Sequence, residues 1–182
     1  MSRFVYIAAD EELETLANPY QQWLSINEAE KNGVDIPDHL KSDHIDRDKK
    51  IILYCDGNML KNQDGLWLDA ELDDDMSVQL IEHIPEDIYS EKPFLYSVEW
   101  NFCTEGRAGF LSDYLKRQAT QHGELELWNV WLGLEVKPVI RTTAVSAESL
   151  SAHDIIRLMS YTPEDDYTTQ YDIPVQHRLI IK

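Results

Sequence analysis

The periodicity of residues 93–182 switches in a fixed order, and that order constrains the fold more than any other feature of the chain. Phe94, Tyr96, Val98, Trp100 and Phe102 fall on one side of an alternating stretch. Leu95, Ser97, Glu99 and Asn101 fall on the other, as in a half-buried strand. Thr104 then opens helical spacing, with Leu111, Tyr114, Leu115 and Ala119 recurring at three and four, and His122-Gly123 ends it. Residues 125–132 and 139–145 read as strands separated by a turn between Gly133 and Pro138. Ser151 is a good N-cap, Asp154 favours the helix N-terminus three residues on, and Leu150 and Ile155 occupy the positions of a hydrophobic staple. Pro163 closes that helix, and residues 175–181 form a last strand.

Strand, helix, strand, strand, helix, strand is the split βαβ pattern. It predicts an α+β, ferredoxin-like (βαββαβ) antiparallel sheet over 93–182 with both helices on one face. Right-handed crossovers place the first and third strands in the middle. The strand at 125–132, with Trp128 and Trp131, and the last strand are then edges, and the former offers a homodimer seam.

Residues 1–92 read as an irregular α/β elaboration packed on that core, the whole forming a single compact unit. A short strand at 4–8, helices at 11–16 and 20–31, and a polar loop at 37–50 come first. Strands at 51–54 and 66–72 form a long-looped hairpin through the turn signals Asp56-Gly57 and Asp64-Gly65, and residues 77–84 add a helical turn. On the strand at 66–72, Trp67, Asp69 and Glu71 alternate outward.

Charge separates the two parts. The chain carries −18; residues 1–92 hold 22 Asp/Glu against 8 Lys/Arg, a net −14, and residues 93–182 hold 12 against 8, a net −4. No Lys or Arg stands between Lys61 and Lys92. Such a field repels nucleic acid and anionic membrane and attracts a basic partner. A chain of 182 residues buries roughly 70% of its unfolded surface, enough for a core without disulfides or metal. Cys55 and Cys103 give no framework pattern. The N-terminal apolar run is too short for a signal peptide and meets Asp10-Glu11-Glu12 at once, and no stretch approaches a membrane span. The expectation is a cytoplasmic protein with two free thiols.

Tests for chemistry return little. Asp56-Gly57-Asn58 and Asp64-Gly65 fail the spacing of a calcium loop, since Trp67 stands where the closing Glu belongs. The six histidines show no i, i+4 pair on a predicted helix, and there is no Cys-x-x-Cys. Cys103 precedes a helix start but lies between Glu99 and Glu105, whose charge opposes a thiolate. Seven glycines form no phosphate cradle, and no serine sits in a nucleophile elbow. No catalytic, cofactor or metal residues are assigned.

The reading that remains is a non-catalytic interaction protein whose acidic part binds a basic protein surface, as small inhibitors and immunity proteins do. Asp69, Glu71, Asp73, Asp74 and Asp75 are its steering charges, Trp67 its anchor, and Trp128 and Trp131 further contact candidates. A second reading is a small enzyme or ligand-binding module in which Glu99, Asn101, Arg141 or His177 converge over an open sheet face. In a third, the acids only keep the protein soluble.

Overall fold

The computed structural model describes residues 2–42, 44–55, 59–61, 67–69, 72–82, 85, 88–100, 102–132, 137–161, 167–168 and 173–182. At 2–3, 59–61, 67–69, 167–168 and 173–174 it describes the backbone alone. The fold is α+β and divides into two compact units. One comprises Met1–Ala17 and Leu72–Lys182, the other Asn18–Glu71. The division therefore falls at 17/18 and 71/72 and not at 92/93.

The larger unit is built on a mixed sheet. Its strands are β1 (Ser2–Ala9), β6 (Ser77–Leu80), β7 (Phe94–Glu99), β8 (Leu125–Leu132), β9 (Val139–Val145) and β11 (Ile173–Ile181). They lie in the order β9-β11-β8-β1-β7-β6, with the two-residue β10 (Tyr167–Thr168) pairing the start of β11 as a seventh strand. Helices α2 (Glu105–His122) and α3 (Ala152–Met159) pack on one face. Along 93–182 the elements follow the βαββαβ order, but the sheet is not arranged in the ferredoxin-like way. The N-terminal strand is the reason: β1 inserts between β7 and β8, antiparallel to both. With β1 in place, β8 has a neighbour on each side and is not an edge, and β9 pairs β11 in parallel at the rim.

Burial on both faces explains the position of β1 and β8. Val5, Ile7, Leu125 and Leu127 join Leu111, Tyr114, Ile155 and Leu158 beneath the helices. Tyr6, Ala8, Trp128 and Val130 form a second core on the opposite face with Leu95 and Ile88, flanked by Ile81 and Tyr89. Strands apolar on both sides belong in the middle of a covered sheet.

The helix ends behave as their sequences dictate. The Thr104 hydroxyl accepts from Arg107 N–H at 3.1 Å, and α2 closes on Gly123 at φ 83°, a left-handed conformation that favours glycine. At α3, Ser151 and Asp154 form a reciprocal capping box. Elsewhere local expectations fail. Residues 11–16 are not helical: Leu16 bridges to Val78 and covers the outer edge of β6 at that point. Residues 77–80 are the strand β6 and not a helical turn, because the edge of β7 supplies their hydrogen-bond partners.

The smaller unit holds β2 (Gln21–Ser25), α1 (Ile26–Lys31), β3 (Lys50–Cys55) and the short pair β4 (Met59–Lys61) and β5 (Trp67–Asp69). The helix expected over 20–31 is a strand followed by a helix. Ser25 makes the switch, its side chain accepting from Glu28 N–H while the Glu28 carboxylate accepts from Ser25 N–H. β3 pairs with β2, and β5 pairs with β4, so the hairpin expected between 51–54 and 66–72 is two separate hairpin-like pairs. Leu24, Ile26, Ala29, Ile36 and Ile52 make this unit's core.

Candidate partner-binding surface

The acidic triplet that sequence singles out divides by burial. Asp73 is exposed, Asp74 half-buried, and Asp75 is 2% exposed. The Asp75 carboxylate meets the Arg107 guanidinium at 3.1 Å, and Arg107 also donates to the Phe102 carbonyl at 3.1 Å. Arg107 sits on the first turn of α2, so this pair ties the loop before β6 to the helix. Asp73 lies against the same turn, where a Cβ at Gly106 would collide with its carboxylate. Anionic groups at a helix N-terminus are stabilising. Asp75 is thus a structural anion and not a steering charge.

The aromatic candidates divide as well. Trp128 is fully buried in the core opposite the helices, and its indole N–H donates to Glu126 at 2.8 Å. Glu126 also accepts from Ser90 at 2.7 Å and from Arg178 at 3.0 Å, and the Arg178 guanidinium lies over the Trp128 ring at 5.1 Å. This closed network leaves Trp128 no surface for a partner. Trp131 is half-buried on the helix side of β8. Trp67 pairs with Lys61 and Asp69 with Met59 along the β4–β5 ladder; their side chains, like the whole of Glu71, lie outside the described residues.

Of the ligand-binding reading's residues, Glu99 does not converge with His177 and Arg141. His177 and Arg141 are register neighbours on the helix side of β11 and β9, and the His177 ring stacks on Tyr161 with centroids 3.5 Å apart. Glu99 points to the opposite side of β7, and Asn101 lies outside the described residues. A small pocket of about 150 Å³ is lined by Cys103, Ile156, Met159 and Ser160. Burial pushes the Cys103 thiol above its ordinary pKa against the opposing pull of Arg107, so it stays protonated at neutral pH. Among the described residues, no group of three or more His, Cys, Asp or Glu could hold a metal ion, and no helix is long and apolar enough to cross a membrane. The calcium-like Asp56–Asn58 and Asp64-Gly65 lie outside the described residues.

The structure gathers a different acidic surface at one end of the large sheet. Asp10, Glu11, Glu12 and Glu14 follow β1, Glu91 precedes β7, Glu124 precedes β8, and all six are exposed. Lys92 pairs with Asp10 and lies 3.9 Å from Glu124, Lys182 lies 3.7 Å from Glu124, and His122 lies 3.1 Å from Glu11. Six carboxylates therefore share two lysines and one imidazole. The loop is held rigidly: the Tyr96 hydroxyl accepts from Leu13 N–H at 2.8 Å, and the Tyr114 hydroxyl donates to the Glu14 carbonyl at 2.6 Å. Its sequence signal, an acidic run directly after an apolar strand, is plain in Asp10-Glu11-Glu12, but which acids join it depends on the sheet order.

The smaller unit shows an apolar pair. Trp23 and Leu53 are register partners on β2 and β3, and they are 56% and 46% exposed. They share a face with Gln21 and Cys55, while Leu24 and Ile52 on the other face supply the core. Among the tryptophans whose side chains are described, Trp23 is the exposed one and Trp128 is buried. The chain matches no protein-family model, no curated protein and no solved structure.

Proposed function

We propose that this is a non-catalytic interaction protein that binds a basic protein partner, in the manner of small acidic inhibitors and immunity proteins. The observation that carries the reading is the acidic end of the large sheet, where six exposed carboxylates share two lysines and four of the six lie on the loop held by Tyr96 and Tyr114. A fixed array of like charge accelerates encounter with an opposite surface and penalises wrong partners. Asp73 and Asp74 add negative charge to the same unit, and in the smaller unit Asp69 and Glu71 remain proposed steering charges and Trp67 a proposed anchor. Trp23 with Leu53 joins it as a second, since a large exposed aromatic beside an aliphatic side chain is what interface hot spots use. The proposal includes a reducing, cytoplasmic setting, in keeping with the free thiols of Cys55 and Cys103. It assigns neither nucleic acid nor membrane as a target, in keeping with the net charge of −18.

The test is affinity capture with wild type and with a bait in which Asp10, Glu11, Glu12 and Glu14 are changed to amides. A basic protein retained by wild type should elute as salt shrinks the Debye length from about 8 Å toward about 3 Å, and the amide bait should not hold it. Equal retention by the two baits, or retention of nothing at low salt, counts against the reading.

A further inference from the structure

β9 is a seven-residue strand at the rim of the sheet. It follows β11 in unbroken parallel register from Val139–Val175 to Val145–Ile181, and no other strand pairs with it among the described residues. Val139 and residues 141–144 are exposed, with only Ile140 and Val145 partly covered. A parallel edge strand turns half of its backbone N–H and C=O groups away from its neighbour, a ready template for one more strand. Proteins normally blunt such an edge with a bulge, a proline, charged side chains or brevity. β9 has no register shift and no proline within it, Pro138 standing before the strand, and Arg141 is its one charged residue. Val139, Ile140, Thr142, Thr143 and Val145 are β-branched, which suits a strand paired on both sides.

The local charge says what would pair there. In a chain of −18, residues 136–147 contain no acid and carry Lys137 and Arg141, and the adjacent strand's residues 173–182 contain no acid and carry Arg178 and Lys182. Arg178 is neutralised by Glu126, and Lys182 lies near Glu124. Arg141 has no ion pair among the described residues, and Lys137 lies over the Tyr89 ring at 5.2 Å. Arg141 and Lys137 therefore give β9 a local positive charge in an acidic protein.

We propose that the β9 edge receives an extended segment of a partner polypeptide bearing carboxylates on alternate residues. The segment adds a strand by main-chain hydrogen bonds, and Arg141 and Lys137 select its acidic side chains. A second copy of this chain fits less well, because it would bring another basic rim and another −18. This edge is distinct from the acidic end of the sheet, and its occupant has the opposite charge.

Labelled synthetic nonapeptides test the proposal by fluorescence anisotropy: one alternating Glu and Val, one alternating Lys and Val, and two versions of the Glu peptide N-methylated on alternate amides, one for each edge. The protein's net charge opposes the Glu peptide at long range, so a preference for it must arise locally. The Glu peptide should bind at least about tenfold more tightly than the Lys peptide, Arg141→Glu should reverse that order, and one of the two N-methylated edges should abolish binding. Circular dichroism should show Arg141→Glu folded, since the side chain is exposed. Several outcomes overturn the proposal: no binding of the Glu peptide up to about 1 mM, equal binding of the charge variants, or indifference to N-methylation on both edges. A dimer of wild type that Arg141→Glu dissociates would assign the edge to a second copy and overturn it too.

Discussion

Arg107 and Asp75 meet at 3.1 Å with side chains 0% and 3% exposed. Thirty-two residues separate them in sequence. The pair converts the most conspicuous acidic run in the chain from surface decoration into a fastening between a loop and the first turn of α2. Removing one partner would break a buried ion pair, and that penalty exceeds any long-range electrostatic relief from losing a negative charge.

Asp75→Ala is therefore expected to destabilise the protein by about 3–5 kcal/mol in urea denaturation. Asp73→Ala, at the exposed position against the helix N-terminus, is expected to cost no more than about 1 kcal/mol. Equal and small effects for the two variants would refute the division of the triplet.

Trp128→Ala should cost about 3–5 kcal/mol, since it empties a fully buried site and strips Glu126 of a donor. Trp23→Ala should stay within about 0.5 kcal/mol of wild type, as for exposed positions generally, while weakening partner capture. Thermal melts of both variants check the contrast.

Burial raises the pKa of Tyr114, with smaller contributions from Tyr96 and Glu14 in the same direction. The neutral phenol is thus favoured in the folded state. Its stabilisation is complete below the ordinary tyrosine value of about 10 and is lost as pH climbs from there toward the raised folded value. Burial shifts Tyr6 and Tyr96 the same way. Tyr114→Phe should cost about 1 kcal/mol at neutral pH through the lost bond to the Glu14 carbonyl. Above pH 10 its stability should fall less steeply than that of wild type, and denaturation midpoints at pH 8 to 11.5 decide the matter.

In the smaller unit, Ser25→Ala should lower stability by about 1 kcal/mol, because it removes the acceptor for Glu28 N–H at the start of α1. Hydrogen bonds from Ser25 hold the Glu28 carboxyl below its ordinary value. The stabilisation that the Glu28 anion supplies is present above the unfolded pKa and fades as pH falls through the lowered folded one. The protection factors of amides in residues 26–31, taken relative to intrinsic exchange at each pH, should therefore fall on acidification in wild type and fall less in Ser25→Ala.

The helices and strands of residues 93–182 were legible because alternation, caps and a terminal glycine are local signals. Strand order was not, although part of it lay in plain view. Residues 4–9 are continuously apolar and residues 125–130 carry apolar residues on both faces (Leu125 and Leu127 on one, Trp128 and Val130 on the other), the mark of strands covered on both sides, whereas Arg141-Thr142-Thr143 marks an uncovered one. The ferredoxin-like arrangement puts 125–132 at the rim, against that difference. Nothing local distinguishes Asp75 from Asp73 or Asp74, since only the fold brings Arg107 to it. Likewise Ser77 to Leu80 became a strand because β7 offered an edge, and tertiary context outweighed local pattern.

The central place of β1 also sets an order of events in time. Val5 needs Val98 on one side and Asn129 on the other. As the chain emerges from the ribosome, β1 has neither partner until residues 94–99 and 125–132 have been made. The sheet's middle is then closed by contacts between distant residues, which favours slow folding and leaves an apolar strand exposed meanwhile. The newborn chain should therefore depend on chaperones, and its yield should be more sensitive to changes in β1 than to changes in β9.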